Sequence, residues 1–114
     1  MNVLIKRVYE MPDETDGKRI LIDRLWPRGL TKEKARIDLW LKEIAPSTGL
    51  RQWFGHDPGK WPEFQERYQK ELEVNKAVVA NLRRELERGH ITLVYGAKDE
   101  KHNDAVVLKA YLEK

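Results

Sequence analysis

His90-Ile91-Thr92-Leu93-Val94-Tyr95 is the stretch on which the fold turns. Its apolar run is almost unbroken, whereas a strand with one wet face alternates apolar and polar residues. A run of this kind is typical of a strand buried on both faces within a parallel sheet. Helical patterns lie on either side of it. Upstream, Pro62 suits the first turn of a helix, and Phe64, Tyr68 and Leu72 recur every four residues on one face. Val78, Val79, Leu82 and Leu86 form a second face, which Gly89 ends. One continuous helix across both would span about 40 Å at 1.5 Å per residue. A compact chain of this length is only roughly 34 Å wide. A break is therefore expected at Asn75, which can cap the second helix. Downstream, Asn103 or Asp104 caps a last helix carrying Val107, Leu108, Tyr111 and Leu112.

The first half of the chain supplies the other strands. Val3-Leu4-Ile5 through Val8-Tyr9, and Arg19-Ile20-Leu21-Ile22-Asp23, are rich in β-branched and large apolar residues. Between them, Glu10 to Lys18 holds the turn residues Pro12, Asp16 and Gly17. That segment is too short for a full helical crossover, which leaves a hairpin or a loop with one helical turn. Thr31 can cap a short helix, Lys32 to Arg36. Ile37 to Ile44 fits either period; its shortness and Pro46 favour a strand. Ser47 or Thr48 caps a helix through Trp53-Phe54, closed by Gly55. The expectation is a single compact α/β domain over residues 1–114, with a short, mostly parallel sheet and helices on both faces.

Composition narrows the chemistry. The 114 residues include no Cys, so disulfides, a thiolate nucleophile and Cys-bound zinc are excluded. Ten aromatic residues (four Trp, four Tyr, two Phe) argue against disorder. No apolar stretch approaches membrane-spanning length and no signal peptide fits, which points to a cytoplasmic protein with no membrane partner. The net charge of +3 is uneven: residues 18–36 hold seven basic and two acidic groups, whereas residues 37–114 balance at thirteen each.

In open α/β sheets, ligands bind just beyond the carboxyl ends of parallel strands. Three polar segments follow strands here: Asp23 to Gly29, Ala45 to Thr48, and Gly96 to Asn103. If the strands are parallel, these segments meet at one rim and build one site. Arg24, Arg28 and Lys98 would hold an anionic small molecule, such as one bearing phosphate, with Trp26 beside them. The helix N-termini at Ser47-Thr48 and Asn103-Asp104 would add backbone donors. Structural roles compete: Arg24 can pair with Asp23, and Trp26-Pro27 can anchor a loop in the core. Ser47, the only Ser, lacks the Gly-x-Ser-x-Gly setting and reads better as a helix N-cap than as a nucleophile.

His56, His90 and His102 lack the i, i+4 spacing of a helical metal pair, and no metal is expected. His56-Asp57-Pro58-Gly59 reads as a turn in which Asp57 could orient His56. If His56 and His102 meet with Asp99, they could act as acid and base, or hold a metal. Trp53-Phe54 and Trp61 could stack on a base, but a satellite core cluster is the better reading. The alternative function is an interaction module in which the basic 18–36 segment and Trp26 meet a protein or nucleic acid. No helix-turn-helix, zinc-finger or RNP signature supports nucleic acid.

The motifs can now be taken together. Arg7-Val8-Tyr9, Leu21-Ile22-Asp23-Arg24-Leu25-Trp26-Pro27-Arg28-Gly29-Leu30 and Trp40-Leu41-Lys42-Glu43-Ile44-Ala45-Pro46-Ser47 are followed by Leu50-Arg51-Gln52-Trp53-Phe54-Gly55-His56-Asp57-Pro58. Phe64, Tyr68, Glu71-Leu72, Val94-Tyr95-Gly96-Ala97-Lys98-Asp99 and His102-Asn103 complete the series. Over nearly the whole chain it resembles the bacterial YeaO-like family, a family of unknown function. The resemblance implies a single α/β domain in a prokaryotic cytosol, and carries no established activity, substrate, cofactor or oligomeric state. Family members often have Pro after the Asn at the position of Asn75, where this chain has Lys76.

Overall fold

Val94 lies at the centre of a four-stranded sheet, and every strand of that sheet runs the same way. The computed structural model describes residues 3–114. The strands are β1 (Val3–Arg7), β2 (Lys18–Leu21), β3 (Leu39–Trp40) and β4 (Ile91–Tyr95), in the order β1-β4-β2-β3. The last strand in sequence is thus inserted between the first two. Val3 to Arg7 register on Ile91 to Tyr95, and Lys18 to Leu21 on Ile91 to Val94, all parallel. Every residue of β4 is buried, as its unbroken apolar run requires.

Alternation divides the sheet into two faces. On one, Val3, Ile20, Ile22, Ile91, Leu93 and Tyr95 pack into the main core with α2 (Thr48–Phe54), α3 (Trp61–Val74), α4 (Lys76–Arg88) and α5 (Asp104–Leu112). On the other, Val8 and Val94 pack with Ala35 of the one-turn helix α1 (Lys32–Ala35), beside Trp26, Leu30 and Ile37. Helices therefore cover both faces, unequally.

The same second face carries a buried polar cluster. The connection from β1 to β2 is a loop with one 3₁₀ turn, Glu14–Asp16, and not a hairpin, because β1 and β2 are parallel and β4 lies between them. Gly17 allows this path: its φ is +65°, and a Cβ there would sit 2.3 Å from the His90 carbonyl oxygen. The turn delivers Asp16 to Arg19, both 3% exposed, with Arg19 Nη1 2.7 Å from Asp16 Oδ2.

The chain breaks between α3 and α4 at Asn75, which keeps the molecule within 35 × 31 × 20 Å. Asn75 does not cap α4 with its side chain. Its Nδ2 instead donates to the Glu43 carbonyl, 2.9 Å away, tying the break to the segment after β3. The 37–44 stretch is strand only at Leu39–Trp40 and turns into a 3₁₀ helix over Lys42–Ile44. It lies at the sheet edge, so one flank alone has a partner strand. No helix among the described residues is long and apolar enough to cross a membrane.

Candidate functional site

The chain leaves β2 toward α1 on one face of the sheet and leaves β4 toward α5 on the other. The carboxyl ends of these neighbouring strands therefore flank a topological switch point, where open α/β sheets form a crevice. A cavity of about 380 Å³ occupies that place. Tyr9 comes to it from β1, Asp23 to Arg28 from β2, Ala45 and Pro46 from β3, and Gly96, Ala97 and His102 to Asp104 from β4. Arg51, Phe54, His56 and Phe64 close the wall from α2 and α3.

Each loop is pinned. Trp26 is half-buried; its Nε1 donates to the Leu30 carbonyl at 2.7 Å, and its ring meets Trp40 edge-on at 5.4 Å. It thus anchors the loop and still lines the cavity. Arg7 Nε donates to the Ala97 carbonyl at 3.0 Å. Asn103, 3% exposed, accepts from the Val106 amide as the N-cap of α5 and donates to the Asp99 carbonyl. Asp23 Oδ2 accepts from the Gly96 amide at 2.8 Å, and a Cβ on Gly96 would lie 3.1 Å from that oxygen.

The cations are free of carboxylates. Among the described residues, no ion pair engages Arg24, Arg28 or Arg51. Arg24 does not pair with Asp23; it donates to the carbonyls of Ala45 and Pro46, both at 3.3 Å. Arg28 and Arg51 are exposed at the cavity's rim.

The histidines are placed by different means. His102 Nδ1 lies 2.8 Å from Asp99 Oδ2, and the His102 amide donates to Asp99 Oδ1 at 3.0 Å. The His102 hydrogen bond, with help from backbone donors, holds the Asp99 carboxyl below its usual range. His56 also lines the cavity, but Asp57 does not orient it: Asp57 accepts from the Gly59 amide. His56 is held instead by its backbone, which has φ +57° immediately after Gly55 at +53°. A left-handed backbone costs an ordinary residue about 1–2 kcal/mol. His56→Gly is expected to preserve stability or raise it by up to about 1 kcal/mol, as urea denaturation would show. A loss above that size would mean the imidazole contributes packing that outweighs its strain.

Some residues proposed from sequence do not reach the cavity wall. Ser47 is the N-cap of α2, and its Oγ donates to Glu71 Oε2 at 2.6 Å. Thr48 and Lys98 are exposed and outside the lining. No group of three or more potential metal ligands occurs among the described residues. Phe64 stacks on Phe54 and on Trp61, with centroids 4.3 and 5.6 Å apart, and these three rings pack at the cavity end of the main core.

The carboxyl pair Asp23–Asp104 and the rim cation Arg51 are the parts that sequence reasoning passed over. From sequence, Asp104 reads as part of a helix N-terminus that brings backbone donors to the site, and Asp23 as a partner for Arg24 in the first site segment. Burial, then the negative charge of Asp23 and a hydrogen bond to it, push the Asp104 carboxyl well above its ordinary range. The signal available was position: Asp23 directly follows one central strand, and Asp104 opens the helix that follows the other.

A family model described as the inactive DUF488-N3 subclade matches residues 2–114. The chain belongs to that subclade. The DUF488-N3 chain is 41% identical to the uncharacterised protein YeaO of Escherichia coli K12 over 112 residues, 98% of this chain and 97% of YeaO. It is also 41% identical to an uncharacterised protein of Mycobacterium tuberculosis over 110 residues, 96% of this chain and 92% of the relative. No solved structure matches it.

Proposed function

We propose that this domain binds a small molecule through an anionic group, a phosphate or carboxylate, in the cavity at the carboxyl ends of β2 and β4. The observation that carries the reading is the presence of three guanidinium groups, Arg24, Arg28 and Arg51, around one hollow, none of them paired with a carboxylate among the described residues. Guanidinium forks suit the geometry of such oxygens. Tyr9, Leu25, Trp26, Phe54 and Phe64 offer an apolar wall for the body of the ligand. Asn103 fixes the loop, and Asp99 fixes the His102 ring as a hydrogen-bonding group at the site. An oriented imidazole of this kind, with His56 also lining the cavity, would support proton transfer. The subclade's description as inactive weighs for binding over catalysis. The bacterial relatives support a bacterial protein, for which we propose a cytoplasmic place.

The alternative, an interaction module using residues 18–36, draws on Leu25, which is 60% exposed. It is the weaker reading, since Trp26 is half-buried and hydrogen-bonded instead of presented on a flat surface.

Phenyl phosphate tests the binding reading by thermal shift and calorimetry. A ligand at 100 times its dissociation constant adds about 2.7 kcal/mol to stability. Replacing Arg28 and Arg51 together by Ala should weaken binding about ten-fold or more, since charge-assisted hydrogen bonds contribute about 1.5–3 kcal/mol each. Binding that is absent, or indifferent to both substitutions, would remove the anion site.

A further inference from the structure

The cavity is lined by charges of both signs. Arg28 and Arg51 are exposed at its mouth. Asp23 and Asp104 are less exposed; with Glu71 and the cation Arg24, their carboxyls act on the hydroxyl of Tyr68, which is wholly buried and donates to the Ile44 carbonyl at 2.7 Å. A hydrogen bond to Asp23 is among the causes that hold the Asp104 carboxyl well above its ordinary range, which puts the two carboxyls in contact. A carboxylate is an acceptor only, so that contact requires a proton between them. One oxygen of each accepts from a backbone amide, Gly96 on Asp23 and Ala105 on Asp104, both within 2.9 Å. Ala105 belongs to the first turn of α5, whose dipole favours negative charge there. Phe54, Phe64 and Trp26 line the same cavity.

We propose that the hollow takes a zwitterion, whose ammonium group lies on the Asp23–Asp104 pair, whose apolar body lies against the aromatic wall, and whose anionic group meets Arg28 and Arg51. This rests on the anion-binding reading above and adds the other half of the ligand. The ammonium replaces the proton between the carboxyls. Asp104 loses its proton to solvent, both carboxyls become anionic, and the N–H groups of the ligand donate to the oxygens that had shared that proton. The backbone bonds from Gly96 and Ala105 persist throughout.

O-phosphotyramine and phenyl phosphate form a matched pair of probes, since both present an aryl phosphate and the first alone carries an ammonium. Calorimetry in buffers of different ionisation heat gives affinity and proton release together. O-phosphotyramine should bind about ten-fold more tightly or better, release more protons than phenyl phosphate, and gain further advantage as pH rises. In the Asp104→Asn protein the two probes should bind with similar affinity and similar proton release. In the unsubstituted protein, the Gly96 and Ala105 amide resonances should move with O-phosphotyramine and much less with phenyl phosphate. Equal affinities in the unsubstituted protein, or an advantage that survives in Asp104→Asn, would overturn the zwitterion while leaving the anion site. Failure of both probes to bind would overturn the two together.

Discussion

Asp16→Ala should lower the unfolding free energy by about 3–5 kcal/mol, the usual cost of leaving one member of a buried ion pair alone. The domain's total stability is expected to be only about 5–15 kcal/mol, so the variant would be close to unfolded on warming. Asp16 accepts from Arg19 Nη1 at 2.7 Å, from Lys6 Nζ at 3.2 Å and from the Asp13 amide at 3.0 Å. Among the described residues Arg19 has no other carboxylate; its remaining donors go to the Ala35 and Arg36 carbonyls. Removing Asp16 thus strands a guanidinium that is 3% exposed. Burial raises the Asp16 carboxyl pKa, but the Asp13 amide, Lys6 and Arg19 together outweigh it and leave the pKa lowered. A depressed native pKa contributes stability that is present above the ordinary value near 3.8 and is lost as pH falls through the native value. The unsubstituted protein should therefore weaken toward acid through this group, and Asp16→Ala should lack that component. Asp16→Ala/Arg19→Met should lose less than the two single variants added together, because the buried guanidinium is removed along with its partner and only the less buried Lys6 is left unpaired. Urea denaturation at pH 7 and in acid would measure all of this. A loss below about 1 kcal/mol for Asp16→Ala would show that water reaches Arg19 and the cluster is not a closed ion pair.

The elements that sequence placed well are those whose signals are local. The unbroken run from Ile91 to Tyr95 is buried at every residue. Ser47, Thr31 and Asn103 are N-caps whose side chains accept the expected amides. Gly55 closes α2 in the left-handed region. The break at Asn75 followed from length, and the 35 Å longest dimension leaves no room for one helix through both α3 and α4. Sequence alone did not resolve features that depend on tertiary neighbours. The route from β1 to β2 was open because a ten-residue connection suits a hairpin locally; β4, inserted some seventy residues later in the chain, decides against it. The 37–44 stretch fitted two periods because edge pairing at Leu39–Trp40 and the 3₁₀ turn after it are both short. At the site, the segments that follow the strands do converge, since all four strands are parallel. Which side chains face the hollow was not legible, because Ser47 is drawn away by Glu71 and Lys98 extends to solvent, while Asp104 turns inward from a helix start.

Asp104→Asn should instead make the protein more stable at neutral pH, by about 1–2 kcal/mol, within the range of favourable single substitutions. The native state holds the Asp104 carboxyl well above its ordinary range, chiefly through burial, then through the charge of Asp23 and the bond between the two groups. A raised native pKa means that the folded protein binds a proton the unfolded chain releases above about pH 3.8. Stability from this group must therefore fall as pH rises from that value toward the native pKa. The Asn side chain has nearly the shape of a protonated Asp. Its NH₂ can donate to Asp23, and its oxygen can accept from the Ala105 amide as Asp104 Oδ1 does at 2.9 Å. It supplies the same network without taking up a proton, so the penalty disappears. The gain should be largest at neutral pH and vanish below about pH 4, where the Asp is protonated in both states. This is opposite in sign to the acid loss expected from Asp16, so the two groups can be separated by substituting one at a time. Urea titrations of the unsubstituted and Asp104→Asn proteins between pH 3.5 and pH 7.5 would give the difference directly. A difference that stays flat across that range, or a net loss at pH 7, would show that the two carboxyls share no proton in the folded protein. The stabilised variant should also be the one that loses the ammonium preference, since the carboxyl that makes the fold less stable at neutral pH is the one that can exchange a proton for a cation.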